Sequence, residues 1–204
     1  MKDLTLISTA TSPFGRKVKI AALAHGLHHR LTIQTGDPWT DGNILRSTNP
    51  LGKMPTLVTS DGRAIYDSGV ILEYFDTLLE ARKLFPAERF EARIFHALGS
   101  GLIEAGLLIT YERNRRPKEY AYEPWIAHQT GKLERGLTSL CEQAPDPRVA
   151  DAGAITVASA LGYLDWRKQI DWRARYPALV DWLEAFREAT PAFDATCAEH
   201  RPSG

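Results

Sequence analysis

The sequence predicts an α/β domain followed by an all-helical domain. Strand-like and helix-like segments alternate through the first eighty residues, whereas strand signals disappear after the break at Phe85-Pro86. The stretch Ala152–Leu164 carries no charge on any side, which is typical of a helix buried at the centre of a bundle. We therefore predict an α/β domain over residues 1–80, a linker over 81–86 and a helical bundle domain over 87–204.

The first domain is predicted to have the order β-α-β-α-β-β-α. Its first helix should begin at Ser12-Pro13, because Ser is a good N-cap and Pro suits the first helical position, and Gly26 should end it. Asp61-Gly62 is a strong hairpin signal. The remaining elements are expected at Leu4–Ser8, Leu31–Thr35, Thr56–Thr59 and Ala64–Tyr66 for strands, at Gly36–Asn49 for a loop with one helical turn, and after Asp67-Ser68 for the last helix.

The second domain is predicted to contain four long helices. The chain after Phe85-Pro86 shows helical patterns in place of strand signals. The helices are expected at roughly Glu88–Arg115, Glu123–Gln143, Asp151–Ile170 and Tyr176–Ala189.

Composition and charge exclude several classes of protein. The 204 residues include 25 Lys and Arg against 25 Asp and Glu, so no general field would steer the chain to nucleic acid or an anionic membrane. An apolar fraction of 44% is ordinary for a globular protein. The N-terminus lacks the pattern of a signal peptide, the longest uncharged apolar stretch is too short to cross a bilayer, and the two cysteines form no CxxC. We expect a cytoplasmic protein with reduced thiols, and the six histidines show no metal-binding spacing.

The segment Thr11-Ser12-Pro13-Phe14 is the first feature that could carry chemistry. A hydroxyl at the start of a helix lies beside unpaired backbone N–H groups, where an anion such as a thiolate would be stabilised. The alternative is a plain helix cap, and the sequence does not decide between Thr11 and Ser12 as the inward hydroxyl.

The segment Asn49–Leu57 is the second feature. A cis bond between Met54 and Pro55 would turn the chain sharply and present the Met54 backbone to a peptide ligand as if to a neighbouring strand. The alternative is an ordinary loop that leads into a strand, since most X-Pro bonds are trans.

Asp67-Ser68 is the third feature, directly after the predicted hairpin. Ser68 at a helix N-terminus could bind a carboxylate, and Asp67 could bind an ammonium group, so the pair could hold an α-amino acid end. The alternative is again a helix cap.

The joint order of these motifs resembles the glutathione transferase family. Ser-Pro-x-x-Arg-Lys-Val begins at Ser12, Asn-Pro-Leu-Gly-Lys-Met-Pro begins at Asn49, and Asp-Ser-x-x-Ile-x-Glu-Tyr begins at Asp67. The segment Leu161–Arg167 is similar to the end of the central helix in a bacterial subgroup of that family. The resemblance therefore covers nearly the whole chain.

The resemblance implies a thioredoxin-like first domain with Pro55 in cis, and glutathione as co-substrate. The γ-glutamyl end would bind at Asp67 and Ser68, the cysteinyl backbone would pair with Met54, and the sulfur would lie near Ser12. The expected glutathione contacts are Phe14, Trp39, Lys53, Met54, Pro55, Asp67 and Ser68. Surface packing remains an alternative for Trp39 and Lys53.

The same resemblance implies an enzyme of detoxification, a cytoplasmic homodimer that attacks a small hydrophobic electrophile with the glutathione thiolate. Ser12 or Thr11 would donate a hydrogen bond to that thiolate. The helical domain would bind the electrophile through an apolar wall and a polar mouth, at Ile103, Gly106, Leu107, Tyr111 and Arg113. Gly106 would leave room for the ligand, although the basic cluster around Arg113 could equally be a solvated helix end.

Three departures from the family pattern limit these expectations. Many family members have Glu or Gln before the binding Ser, and Asp67 is one methylene shorter. Ser12 stands where some relatives have Cys, so thiol–disulfide exchange is not expected. Before the central helix, Asp151-Ala152-Gly153-Ala154 keeps the cap but loses the reciprocal partner of the usual capping box. The alternatives to a transferase are a non-catalytic glutathione-binding protein on the same fold and a glutathione-dependent peroxidase, isomerase or dehalogenase.

Overall fold

The computed structural model describes residues 3–39, 44–81 and 83–197. Its packing divides the chain into two units. The N-terminal unit contains Met1–Glu88 together with Thr190–Gly204, and the helical unit contains Arg89–Ala189.

A four-stranded mixed sheet forms the centre of the N-terminal unit. Its strands are β1 Leu4–Ile7, β2 Leu31–Gln34, β3 Thr56–Thr59 and β4 Ala64–Ile65. They lie in the order β2-β1-β3-β4, with β1 parallel to β2 and antiparallel to β3. The helices of the first 80 residues are α1 Pro13–Ala24, α2 Ile44–Thr48 and α3 Ser68–Leu78. The predicted order β-α-β-α-β-β-α is therefore confirmed.

The helical unit contains α4 Glu91–Arg115, α5 Glu123–Glu142, α6 Ala152–Arg167, α7 Trp172–Arg175 and α8 Pro177–Ala189. Every residue of α6 from Ala152 to Leu164 is buried, as its lack of charge predicts. The short helix α7 was not predicted, because four residues are too few to show a helical period.

Helices α4 and α6 pack closely at Gly99. A Cβ at this position would lie 2.9 Å from the Thr156 backbone, so only glycine allows this approach. By length and composition alone, α4 is apolar enough to cross a membrane. Core helices pass the same test, and Leu102, Ala105 and Ile109 are buried in the unit.

Asp151 caps α6, although the usual reciprocal partner is missing. Its Oδ1 accepts a hydrogen bond of 2.9 Å from the Ala154 N–H. Its Oδ2 lies 3.3 Å from Nη2 of Arg89. Burial raises the pKa of Asp151 above its ordinary value, and the Ala154 N–H and Arg89 partly offset this rise. The Asp151 N–H, which a capping box would pair with a side-chain acceptor, donates instead to the Val149 carbonyl at 2.9 Å.

The segment from Thr190 packs with the N-terminal unit, whereas the sequence grouped it with the helical domain. Here α9, Ala192–Ala195, contacts α1. Nη2 of Arg16 donates to the Phe193 carbonyl at 2.9 Å, and the guanidinium lies 4.1 Å from the centroid of the Phe193 ring. The difference arises because this packing joins residues 177 positions apart, which no local pattern reveals.

Candidate functional site

The sheet register places the three sequence motifs at one edge of the N-terminal unit. Ile7 of β1 pairs with Thr56 of β3, and Leu57 of β3 pairs with Ile65 of β4. Ile7 is followed by the loop before α1, and Thr56 is preceded by Pro55. Ile65 is followed, two residues later, by Asp67 at the start of α3. Parts of the chain 40 to 60 residues apart therefore meet because the strands align their ends.

Ser12 caps α1 through its hydroxyl oxygen. Oγ accepts a hydrogen bond of 3.0 Å from the Gly15 N–H, and Pro13 occupies the first helical position. This bond uses the oxygen as an acceptor, so the hydroxyl proton stays available to donate to a second group. The cap and a thiolate donor are thus compatible roles. Thr11 is exposed, and its Oγ1 lies 3.2 Å from Oγ1 of Thr9.

The peptide bond between Met54 and Pro55 is cis, the conformation that the family resemblance implied. Pro55 is buried and Met54 is half-buried. The side chain of Asn49, which is 1% exposed, orders the loop that leads to them. Its Nδ2 donates to the Lys53 carbonyl at 2.9 Å, and its Oδ1 accepts from the Leu51 N–H at 2.9 Å. This role of Asn49 was not predicted, although an Asn before Pro is a common start of a turn.

Asp67 and Ser68 begin α3. The carboxylate of Asp67 accepts a hydrogen bond from the Gly69 N–H and remains exposed, whereas Ser68 is buried. Asp67 therefore presents a negative charge beside backbone N–H groups, a combination that suits the ammonium and the carboxylate of an amino acid end.

Lys17 is a second residue of this region for which no role was predicted. It is 1% exposed, and its Nζ lies 5.4 Å from the centroid of the Phe14 ring. Burial lowers the pKa of Lys17 from 10.5 to about 8, and the negative charge of Asp67 works in the opposite direction. A buried cation thus lies on the first helix within electrostatic range of the proposed amino acid site. Its helical position relative to Phe14 could have indicated the contact, but not the burial.

The remaining candidates for glutathione contacts lie at the surface or partly so. Phe14 is half-buried, while Trp39 and Lys53 are exposed. The Trp39 N–H donates to Oδ1 of Asp37 at 2.9 Å. These positions leave both alternatives open for Trp39 and Lys53.

The candidates for the electrophile site all lie on α4. Ile103 and Gly106 are buried, Leu107 is half-buried, and Tyr111 and Arg113 are exposed. The room expected beside Gly106 is filled by the protein itself. A Cβ there would lie 3.3 Å from Cε1 of Tyr163, so this glycine accommodates a tyrosine ring rather than a ligand.

A polar network surrounds that tyrosine. Tyr163 is 3% exposed, and its hydroxyl lies 3.1 Å from Oγ1 of Thr110. Gln169 donates from Nε2 to the Thr110 hydroxyl at 2.9 Å and to the Gly106 carbonyl at 3.1 Å. Burial raises the pKa of Tyr163, against the opposing effects of Thr110 and Arg167. The C-terminal halves of α4 and α6 are therefore joined by hydrogen bonds as well as apolar packing.

Within residues 3–39, 44–81 and 83–197, no three His, Cys, Asp or Glu side chains come together as ligands for a metal ion. Cys141 and Cys197 are free and exposed.

Comparison with known proteins identifies the family. A family model for the N-terminal domain of glutathione S-transferase matches residues 11–78. The chain is 31% identical to an uncharacterized GST-like protein, YibF, of Escherichia coli K12, over 89% of this chain and 92% of that protein.

Solved structures agree with this assignment. The chain superposes with a TM-score of 0.88 and 34% identity on a glutathione transferase family member from Pseudomonas fluorescens Pf-5 with bound glutathione, covering 98% of this chain and all of that one. A structure of a family member from the same organism with bound S-(propanoic acid)-glutathione has a TM-score of 0.84, 33% identity and coverage of 95% and 98%. The N-terminal unit is thus thioredoxin-like, and the chain belongs to the glutathione S-transferase family.

Proposed function

We propose that this chain is a glutathione transferase, which binds glutathione in its N-terminal unit and activates the thiolate for attack on a hydrophobic electrophile. The observation that carries the proposal is the geometry of Ser12. Its oxygen accepts the Gly15 N–H while its proton is available for a ligand. The glutathione and S-(propanoic acid)-glutathione bound by similar bacterial proteins support the choice of ligand.

The proposed chemistry follows from the pKa of a thiol. A free thiol has a pKa near 8.5, so only a few per cent of it is ionised at neutral pH. A hydroxyl donor and the N-terminus of α1 both favour the charged form and lower that pKa. The thiolate then forms a bond to the electrophilic carbon, and the leaving group or carbanion takes up the displaced electron pair. In this proposal Ser12 is a hydrogen-bond donor and not a covalent nucleophile.

The other glutathione contacts are assigned by the charges they offer. Asp67 binds the γ-glutamyl ammonium, and Ser68 with the N-terminus of α3 binds the neighbouring carboxylate. The Met54 backbone pairs with the cysteinyl residue, as a strand would. Lys53 and Trp39 are placed at the glycyl carboxylate. The electrophile is assigned to the helical unit, where Leu107 and Tyr111 offer partly exposed apolar surface.

The test compares Ser12→Ala with Ser12→Gly, because glycine is tolerated at an N-cap and separates loss of the hydroxyl from loss of the cap. Both variants should lower kcat/KM for a chloronitrobenzene by roughly tenfold to a hundredfold, the value of a hydrogen bond to a charged group. The apparent pKa in the pH–rate profile should rise in both variants. Both should still be retained on immobilised glutathione.

The alternatives make different predictions in the same experiment. If Thr11→Ala reproduces the loss and Ser12→Gly does not, the donor is Thr11. If glutathione is retained but no electrophile from a broad panel reacts, the chain is a binding protein. Turnover of peroxides, isomerisable substrates or haloalkanes alone would select one of the other glutathione-dependent reactions. Cytoplasmic location, a homodimer and a role in detoxification stay predictions from the family resemblance.

A further inference from the structure

The arginine at the end of α6 differs from five other arginines of the helical unit, which form ion pairs. Arg167 is half-buried, and its guanidinium lies 3.8 Å from the centroid of the Trp166 ring and 5.9 Å from that of Tyr163. Among the described residues it forms no ion pair, in contrast to Arg89, Arg116, Arg173, Arg175 and Arg187.

The nearest acidic side chain in the sequence is already engaged. Asp165 accepts hydrogen bonds from Nε and Nη2 of Arg173 at 2.8 and 2.6 Å and from Nε1 of Trp172 at 2.9 Å. Asp165 also stands two positions from Arg167 on α6, a spacing at which helical side chains do not face each other.

Two buried polar atoms at and just after the end of α6 lack partners. Within the described parts of the chain, its buried Nε has no hydrogen-bond acceptor, and the buried Oε1 of Gln169 has no donor. An unsatisfied buried donor beside a positive charge is costly unless a ligand or water completes it.

The two tyrosines near Arg167 lie in a positive field. Tyr111 lies within electrostatic range of Arg115 and Arg167, and Tyr163 lies within range of Arg167. Tyr111 is 36% exposed, whereas Tyr163 is buried. We call Tyr111, Tyr163, Trp166 and Arg167 the Arg167 cluster.

Resting on the proposed function, we propose that the Arg167 cluster selects electrophiles that carry a carboxylate on a planar conjugated system. The guanidinium fork binds a carboxylate in its own plane. Because Cζ of Arg167 lies over the Trp166 ring, the flat body of the ligand would extend along aromatic surface. The ligand class is thus an aromatic or α,β-unsaturated acid, and Arg167 is a specificity-determining residue for it.

The test measures kcat/KM for 4-chloro-3,5-dinitrobenzoate and for its methyl ester, which keeps the reactive carbon but lacks the charge. We expect Arg167→Gln to lower the value for the acid by roughly tenfold to a hundredfold and the value for the ester by less than about threefold. Arg167→Lys should restore part of the preference, since it keeps the charge without the fork. Lys168→Gln, which removes an exposed charge one residue away, should leave the acid-to-ester ratio unchanged.

Two results would overturn the proposal. Equal losses for acid and ester in Arg167→Gln would show a structural role, and the same loss of the ratio in Lys168→Gln would show only a general field. If circular dichroism shows that Arg167→Gln does not fold, the acid-to-ester ratio of kcat/KM in Arg167→Lys is used instead. A ratio equal to that of the unmodified chain would refute the proposed binding of the carboxylate by Arg167.

Binding without chemistry separates this proposal from the proposed function. Unreactive 3,5-dinitrobenzoate and its methyl ester are titrated against the full chain without glutathione, with calorimetry as the readout. If the chain binds the acid more tightly than the ester and Arg167→Gln loses this selectivity, the result supports carboxylate binding by Arg167 even if no electrophile is turned over. Equal binding of acid and ester refutes carboxylate binding by Arg167 even if chloronitrobenzene is a good substrate.

Discussion

Replacing Lys17 by Met should stabilise the protein, by an amount that depends on pH in a defined way. The pKa of this buried lysine falls from 10.5 in the unfolded chain to about 8 in the folded protein. This fall in the pKa corresponds to about 3.4 kcal/mol, which is the net cost of burying the charge after the attraction to Asp67. Methionine has a similar length and no charge, and such replacements often stabilise by about 1–4 kcal/mol.

The sign of the pH dependence follows from proton binding. Because the folded-state pKa is depressed, the unfolded chain binds more protons between about pH 8 and 10.5, and the free energy of unfolding rises with pH across that range. At about pH 7 the full cost of about 3.4 kcal/mol is present, whereas at about pH 9.5 only about 1.4 kcal/mol remains. The stability advantage of Lys17→Met should therefore shrink by about 2 kcal/mol between these two pH values.

Urea unfolding of the full chain, followed by both circular dichroism and tryptophan fluorescence, measures this difference. The matched control is Lys132→Met, which removes an exposed lysine from α5. The reasoning is refuted if the advantage of Lys17→Met is the same at both pH values, or if the control changes by as much. A direct NMR titration of the Lys17 side chain that gives a pKa near 10.5 would refute it independently.

Three further changes test the packing and the site. Gly99→Ala should destabilise the protein by about 1–3 kcal/mol because the new Cβ would meet the Thr156 backbone, whereas Gly101→Ala, which meets nothing within 4 Å, should stabilise it by about 0.5–1 kcal/mol. Asp151→Ala should cost about 0.5–2 kcal/mol or more, because α6 loses its cap and a buried ion pair. Asn49→Ala should cost about 1–3 kcal/mol and weaken glutathione binding, because backbone groups of the loop lose their partner.

Thermal and urea unfolding check the stabilities, and calorimetry with glutathione checks the affinity. Equal effects of the two glycine substitutions would contradict the close approach of α4 and α6. An unchanged stability in Asp151→Ala would show that the cap contributes nothing. Normal glutathione affinity in a folded Asn49→Ala variant would remove that loop from the proposed site.

Most of the secondary structure could be predicted because its signals are local. Ser12 and Asp67 are N-caps at the helix starts that their residue types predict, and Asp61-Gly62 joins two strands. Predicted and observed boundaries agree within three residues, and they differ where terminal turns fray and caps are shared. The helix α9 was missed because four residues carry no period.

The candidate site was predicted only in part, and the missing part is long-range. The three motifs were visible as segments, but their meeting depends on the register of Ile7 with Thr56, which pairs residues far apart in the sequence. The space beside Gly106 could not be assigned from α4, because the ring that fills it belongs to α6.

Local patterns in the chain were thus sufficient for the fold class, the helix starts and the family motifs, since capping, turn formation and periodicity act over a few residues. Burial and charge pairing, by contrast, are properties of elements packed from distant positions. The tertiary structure was needed to show that Lys17 is buried near Asp67, that Arg16 holds the segment at Phe193, and that Arg167 lies against Trp166 with no ion pair among the described residues. The sequence does not show whether a lysine or arginine lies in solvent or in the protein interior, because its hydration and pKa depend on the atoms around it.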